Sequence, residues 1–137
     1  MSERGQSPVQ PPAHAAAISY RGDLAKVRQF VRDQAAKTGL PANRIADLVI
    51  AVSELAANTL RHTQGYGTVH IWSSASEVVC QVRDGGHIAD SSAGSVRPSS
   101  EAAHGHGLWV VRQLCDTIDI SSGAGGTTIR LCMRLGY

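Results

Sequence analysis

The segment "SELAANTLRHT", residues 53–63, lies in a predicted helix whose faces differ from those of an ordinary surface helix. Apolar residues recur there at intervals of three and four, which indicates one buried face. That stripe consists of Ile45, Leu48, Val49, Val52, Leu55, Ala56 and Thr59. The opposite face holds Ile50, Ala51, Glu54, Ala57, Asn58 and Arg61. A solvated face normally carries long charged side chains, so a carboxylate and an amide among small neighbours mark Glu54 and Asn58 as candidate functional residues.

Length and composition narrow the class of protein. The 137 residues correspond to one domain of ordinary size, and a hydrophobic fraction of 42% is enough for a core. The formal net charge is +2, without a cluster of Lys and Arg, which argues against a nucleic-acid-binding patch. No apolar run approaches the roughly 18 residues of a membrane span. The first residues lack the apolar core of a signal peptide, so we expect a cytoplasmic protein.

Cysteine and histidine spacing argues against a metal or disulfide framework. Cys80, Cys115 and Cys132 are odd in number, far apart and set in apolar stretches, which is typical of reduced packing residues. The pair His104 and His106 has a spacing that suits a metal on a strand. That pair overlaps the start of a predicted helix and has no cysteine near it, so structural zinc is disfavoured.

The chain divides into a short tail and one domain. Residues 1–13 are rich in Pro, Gln and Ser, which predicts a disordered tail, and residues 14–137 form the domain. Predicted strands cover 14–20, 68–74, 77–84, 117–122 and 126–135, and predicted helices run from the cap Asp23 to near Gly39, over 42–62 and over 105–116. This order predicts an α+β fold, a two-layer sandwich with helices on one face of a mixed sheet.

One long segment has no periodicity. Residues 85–104 read "GGHIADSSAGSVRPSSEAAH", and 12 of these 20 residues are Gly, Ala or Ser. A loop of this length inside a compact domain is uncommon unless it serves a function. We therefore expect a lid over a ligand.

Three short pieces of sequence suit a nucleoside triphosphate with a metal ion. Glycines at the start of a helix, as in "GHG" at 105–107, let backbone N–H groups and the helix dipole approach a phosphate. The amide oxygen of Asn58 can serve as one of the oxygen ligands that Mg²⁺ requires beside phosphates. Glu54 can orient or deprotonate a nucleophile, and Asp84, which ends a strand, can accept a hydrogen bond from an exocyclic amine. Each piece alone is weak, but the three in this order are specific.

These pieces resemble the ATP-binding boxes of the GHKL superfamily, whose common structure is the Bergerat fold. The ExxxN of its N box matches Glu54 and Asn58, its DxG box matches Asp84 and Gly86, and its GxG box matches Gly105 and Gly107. The stretches "ELAANTLRHT" and "GHGLWVVRQLCD" are similar to the anti-sigma factor serine kinases in particular. The resemblance covers roughly residues 14–135.

The resemblance implies roles on the second helix. Glu54 would be the general base and Asn58 the ligand of a magnesium ion held with ATP. His62 stands where the family often has a histidine near the phosphates. An equally good explanation of His62 is a favourable interaction of a histidine with the helix C-terminus.

The resemblance also implies a nucleotide pocket. Asp84 would bind the adenine amine, Gly86 would lie beside the base, and Thr127 would back the pocket. The phosphates would be held by Gly105, His106 and Gly107 and by the N–H of Leu108. One departure is Ile88, which stands where longer family members have a further glycine, and which affects the entrance of the lid rather than a phosphate or metal contact.

The family implies a protein serine/threonine kinase and anti-sigma factor. Such a protein uses ATP and Mg²⁺ to phosphorylate an anti-anti-sigma partner with a STAS domain, and so controls the availability of a sigma factor. Two alternatives share the same pocket: a catalytically weak ATP-dependent switch that binds its partner, and a stand-alone ATPase subunit of a larger sensor. A homodimer is compatible with all three, and neither nucleic acid nor membrane is an expected partner.

Overall fold

The computed structural model describes residues 10–62, 66–84, 106–123 and 126–135. The predicted order of strands and helices is confirmed. The elements are β1 (Ala16–Tyr20), α1 (Leu24–Ala35), α2 (Ala42–His62), β2 (Gly67–Ser73), β3 (Glu77–Asp84), α3 (His106–Leu114), β4 (Thr117–Gly123) and β5 (Gly126–Arg134). Residues 1–9 of the predicted tail and the predicted lid, with Gly86 and Ile88, lie outside the described residues.

The ends of α1 have clear local causes. The carboxylate of Asp23 accepts a hydrogen bond of 3.1 Å from the backbone N–H of Lys26, which confirms the predicted N-cap. The helix ends at Ala35, earlier than predicted. The hydroxyl of Thr38 donates to the carbonyl of Ala35 at 2.7 Å, so a side chain satisfies a terminal carbonyl and a turn begins there. Gly39, with φ of +89°, closes this turn.

The five strands form one sheet in the order β1-β2-β3-β5-β4. Every neighbouring pair is antiparallel, so the expectation of a mixed sheet was wrong. The connections explain this outcome. Two helices lie between β1 and β2, so the chain reverses direction three times, an odd number, and the two strands run antiparallel. The single helix α3 makes β4 run in the same direction as β3, but β5 lies between those two strands.

The sheet buries one face under the helices. Side chains alternate between faces along a strand, and the core contains Val78, Cys80 and Val82 of β3 but not the intervening Val79. From the helices it receives Val27, Val31, Leu48, Val52 and Leu55, among others. The predicted α+β architecture of two layers, with the helices on one face, is therefore confirmed.

The other face of the sheet is held together by side chains of the strands themselves. Gln81 accepts hydrogen bonds from Arg130 at 3.1 and 2.6 Å. The guanidinium of Arg130 also lies 5.2 Å from the centre of a Trp72 ring, a cation–π distance. Gln81 is only 3% exposed, and its bond to Arg130 compensates the burial of its amide.

Candidate functional site

Helix α2 carries the candidate catalytic and metal-binding side chains. Glu54 and Asn58 are half-buried, whereas the adjacent Leu55 and Ala56 lie in the core. Residues four apart on a helix share a face and are separated by about 6 Å along the axis. The core therefore holds one side of α2 rigidly and leaves Glu54 and Asn58 accessible at its margin.

The face of α2 that carries these polar groups is narrower than predicted. Ala51 was expected on it, but Ala51 is 0% exposed and belongs to the core. The reason is that α2 packs against both α1 and α3, so two of its sides are covered. Ile50, one turn before Glu54, is 47% exposed. The hydroxyl of Ser53 accepts a hydrogen bond of 3.2 Å from Arg28 of α1, which ties the two helices together beside Glu54.

The start of α3 is brought to the level of Glu54. The guanidinium of Arg44, near the start of α2, donates a hydrogen bond of 2.9 Å to the carbonyl of Leu114 at the end of α3. The two helices pack on each other, and this bond shows that the start of α2 lies at the end of α3, so the helices run antiparallel. Eight residues of helix rise by about 12 Å, which places the first turn of α3 beside the part of α2 that contains Glu54. Free N–H groups at a helix start favour an anion.

The predicted phosphate-binding residues are only partly within the described structure. The helix starts at His106, so Gly105 immediately precedes it, as the predicted GxG box requires, but Gly105 itself lies outside the described residues. Leu108 is 7% exposed and packs in the core, which anchors the first turn of α3. The side chains of His62 and His106 are also outside the described part of the chain, so their predicted roles remain predictions.

A row of polar and small residues crosses the sheet at the end of β3. Reading across the strands β1-β2-β3-β5-β4, the register aligns Tyr20, Gly67, Asp84, Thr127 and Ser122. We call these five residues the end row. By strand alternation, Asp84 shares the helix-bearing face with Val82. The register thus places Asp84 directly beside Thr127, as a shared nucleotide pocket requires.

Thr127 is almost completely buried within the end row. It is 2% exposed, and its hydroxyl lies 2.9 Å from the hydroxyl of Ser122. A buried hydroxyl needs such a partner to offset its loss of water. This arrangement suits a residue that backs a pocket, because its position is set by the protein before any ligand binds.

Tyr20 and Gly67 are members of the end row that the sequence motifs did not reveal. A Cβ on Gly67 would lie 2.5 Å from the hydroxyl oxygen of Tyr20 and 2.8 Å from the carbonyl oxygen of Arg83. The Tyr20 phenol therefore lies over Gly67, in the space that any other residue would fill. Tyr20 is 3% exposed. The sequence did contain one signal for Tyr20: it ends a strand whose alternation places it on the core face.

The described residues show no cysteine suited to nucleophilic chemistry. Burial raises the pKa of Cys115 to about 12, an effect only partly opposed by Arg44. Burial also raises the pKa values of Cys80 and Cys132. A protonated thiol is a poor nucleophile and metal ligand. Within the described ranges, no group of three His, Cys, Asp or Glu side chains could hold a metal ion.

Magnesium nevertheless fits the site in one specific way. Mg²⁺ takes oxygen ligands, keeps several waters and is often bound by one protein oxygen together with substrate phosphates. The half-buried amide of Asn58 offers such an oxygen on the same face as Glu54. The donor set therefore fits a metal ion that arrives with a nucleotide.

A groove of about 450 Å³ lies at the other end of α2 and is separate from this site. Its lining includes Arg44, Cys115, Asp116 and Arg134. The guanidinium of Arg44 forms ion pairs with Asp47 at 2.7 Å and Asp116 at 3.4 Å. These contacts give Arg44 a structural role at the junction of α2 with β4 and β5.

Comparison with known proteins agrees with this geometry. The family described as the histidine kinase-like ATPase domain matches residues 19–133. The chain belongs to this family. Its resemblance to GHKL ATPases and to the anti-sigma factor kinases among them is thereby confirmed, together with the fold that the resemblance implied.

A solved structure supports the same assignment. The chain is similar to the crystal structure of the RsbU and RsbW domains of Rv1364c from Mycobacterium tuberculosis, with 25% sequence identity and a TM-score of 0.66. The match covers 90% of this chain and 32% of the other, so the chain spans about a third of that protein's length. Among the described helices, none is long and apolar enough to cross a membrane.

Proposed function

We propose that the chain is an ATP-dependent serine/threonine protein kinase and anti-sigma factor that phosphorylates an anti-anti-sigma partner with a STAS domain. The observation that carries this proposal is the packing of α2 against α3, which brings the start of α3 to the level of Glu54, one turn from Asn58. That arrangement combines a base, a metal ligand and a phosphate-binding helix end. The family match and the similarity to a structure with an RsbW domain support a role in sigma-factor regulation.

Each residue of the site has a separate task in this proposal. Asp84 accepts a hydrogen bond from the adenine amine, Gly86 lies beside the base, and Thr127 backs the pocket. The segment Gly105–Gly107 and the N–H of Leu108 hold the phosphates, with His62 near them. Asn58 provides one oxygen ligand to Mg²⁺, which when bound neutralises charge on the phosphates.

Glu54 acts on the protein substrate. The hydroxyl oxygen of a partner Ser or Thr attacks the γ-phosphorus of ATP, and the bond from that phosphorus to the β–γ bridging oxygen breaks. ADP leaves, and Glu54 accepts the hydroxyl proton. Phosphoryl transfer depends mainly on positioning and charge neutralisation, so the base contributes only part of the rate. A positioned general base typically contributes about 10²–10⁴-fold.

Two variants separate these roles. Glu54→Ala should retain ATP affinity and lose phosphoryl transfer by about 10²–10⁴-fold, because only the base is removed. Asn58→Ala should lose Mg-ATP binding and transfer together. The matched control is Glu77→Ala, because Glu77 begins β3 at the end of the strand far from Asp84. Calorimetry with Mg-ATP measures binding in all three variants.

Transfer is measured with a STAS-domain protein captured by the wild-type chain. The capture uses immobilised chain with and without ATP, and the assay uses ATP labelled at the γ-phosphate. Label on a partner Ser or Thr, lost in Glu54→Ala but kept in Glu77→Ala, is the expected result. ATP-dependent capture of a sigma factor or STAS protein without label would instead identify a binding switch. ATP hydrolysis without capture would identify a stand-alone ATPase subunit.

A further inference from the structure

We propose that the Tyr20 hydroxyl donates a hydrogen bond to the carboxylate of Asp84 and positions it to discriminate adenine from other bases. This inference rests on the proposed function, because it assumes that Asp84 binds the adenine amine. Tyr20 would be a positioning residue that does not itself touch the nucleotide. It belongs to none of the sequence motifs described above.

The sheet register brings Tyr20 toward Asp84. Gly67 of β2 aligns with Tyr20 on one side and with Asp84 on the other. Neighbouring strands lie about 4.8 Å apart, so Tyr20 and Asp84 begin about 10 Å from each other at their Cα atoms. Both project to the helix-bearing face. A side chain that bridges them must therefore cross the strand that lies between.

Gly67 provides the route for this crossing. The hydroxyl oxygen and the ring carbon that bears it lie 2.5 and 2.7 Å from the place where a Cβ of residue 67 would stand. The end of the phenol thus lies over β2, halfway to β3. The next residue across the sheet from Gly67 is Asp84, so the hydroxyl at Gly67 is one strand closer to Asp84 than the backbone of Tyr20 is.

The chemistry of the two groups is complementary. A buried phenol normally finds a hydrogen-bond partner, and Tyr20 is 3% exposed. A carboxylate has two oxygens and about four acceptor positions. One oxygen of Asp84 can accept from Tyr20 while the other accepts from the exocyclic amine. A bond from Tyr20 fixes the rotamer of Asp84, so adenine does not have to order the carboxylate when it binds.

The test compares two nucleotides that differ at the group that Asp84 recognises. Inosine triphosphate has a carbonyl oxygen where ATP has the amine. Tyr20→Phe removes only the hydroxyl. We expect its affinity for Mg-ATP to fall about 5- to 10-fold, less than the loss of a direct hydrogen bond to a charged group, because Tyr20 acts only through Asp84. Its affinity for Mg-ITP should change less than about 2-fold. Calorimetry on the full chain measures both affinities.

Tyr66→Phe is the matched control, because Tyr66 is 46% exposed and adjacent to Gly67 in sequence. It should change neither affinity. Gly67→Ala is a second variant that keeps the hydroxyl but displaces the ring. It should reduce the preference for ATP over ITP in the same way as Tyr20→Phe. Thermal unfolding in the absence of nucleotide identifies any variant that has lost its fold.

A double-mutant cycle tests whether the effect passes through Asp84. Once Asp84→Asn has been made, adding Tyr20→Phe should cause little further loss of ATP affinity. Equal losses for ATP and ITP in Tyr20→Phe would show a general structural role and overturn the inference. So would additive effects of the two substitutions. A wild-type chain that binds ATP and ITP equally well would overturn the adenine role of Asp84 itself, whereas discrimination that survives Tyr20→Phe would overturn only the role of Tyr20.

Discussion

The end row and a core row of the same sheet show how one face can serve two purposes. The end row aligns Tyr20, Gly67, Asp84, Thr127 and Ser122, and the core row aligns Ala16, Ile71, Cys80, Leu131 and Ile118. The rows are four residues apart along each strand, which is about 13 Å. The same strands and the same packing direction thus produce an apolar layer in one place and a polar layer in the other.

The difference lies in what each row requires from its neighbours. Leu131 is 0% exposed and needs only apolar contact with the helices. Thr127 is 2% exposed and needs its hydrogen bond with Ser122. A buried apolar side chain stabilises the fold wherever it packs, whereas a buried polar group must be oriented. Substitutions in the core row should therefore affect stability, and substitutions in the end row should affect ligand binding.

The largest expected effect is in the core row. Leu131→Ala should lower the free energy of unfolding by about 2–5 kcal/mol, because it leaves a cavity between β5 and the helices. Urea unfolding followed by circular dichroism measures this loss. The variant molecules that remain folded should bind Mg-ATP with wild-type affinity. A loss of less than about 1 kcal/mol would show that the core row tolerates a cavity and would weaken the contrast between the rows.

A substitution in the end row should have the opposite profile. Asp84→Asn should weaken Mg-ATP binding by about 1.5–3 kcal/mol, because it removes the charge of the proposed acceptor of the adenine amine. Its free energy of unfolding should fall by much less than that of Leu131→Ala, because Asn creates no cavity and keeps one acceptor oxygen. Calorimetry and urea unfolding measure the two quantities. Asp33→Asn, at an exposed position on α1, is the control. Unchanged ATP affinity would remove Asp84 from the proposed pocket.

The smallest effect concerns the thiols in and near the core row. Burial raises the pKa of Cys115 to about 12 from an ordinary value of 9.0. The folded chain therefore keeps a proton that the unfolded chain loses, so this contribution to stability is complete below pH 9 and is lost as the pH rises toward 12. Stability should fall by less than about 1.4 kcal/mol per pH unit, the limit for one proton.

Comparison with Cys115→Ala isolates this contribution. Urea unfolding at pH 8, 9.5 and 10.5 should show a steeper decline for wild type than for the variant, because other basic groups titrate equally in both. In the native state at pH 8, the thiol should also react more slowly with a disulfide reagent than in urea. Parallel declines in the two proteins would mean that burial does not control the thiol in this part of the fold.

The sequence by itself determined the order of helices and strands, and it placed Glu54 and Asn58 on one face of α2. The apolar spacing in α2 is a property of a helix with 3.6 residues per turn, and the same period places residues 54 and 58 on one face. Asp23 predicted the start of α1 correctly, because an N-cap interacts only with residues close to it in sequence. The motifs in their order were also enough to indicate the family to which the chain belongs.

Only the tertiary structure decided which helices and strands pack against one another and in which register. Ala51 is buried because α1 and α3 cover two sides of α2, and a helical pattern shows that a face is apolar without showing how many neighbours it has. The antiparallel sheet follows from the insertion of β5 between β3 and β4. The end row depends on register among strands distant in sequence, since a shift by one residue would turn Asp84 to the other face. That register alone aligns Tyr20 and Gly67 with Asp84, and no local pattern in the sequence predicts this alignment.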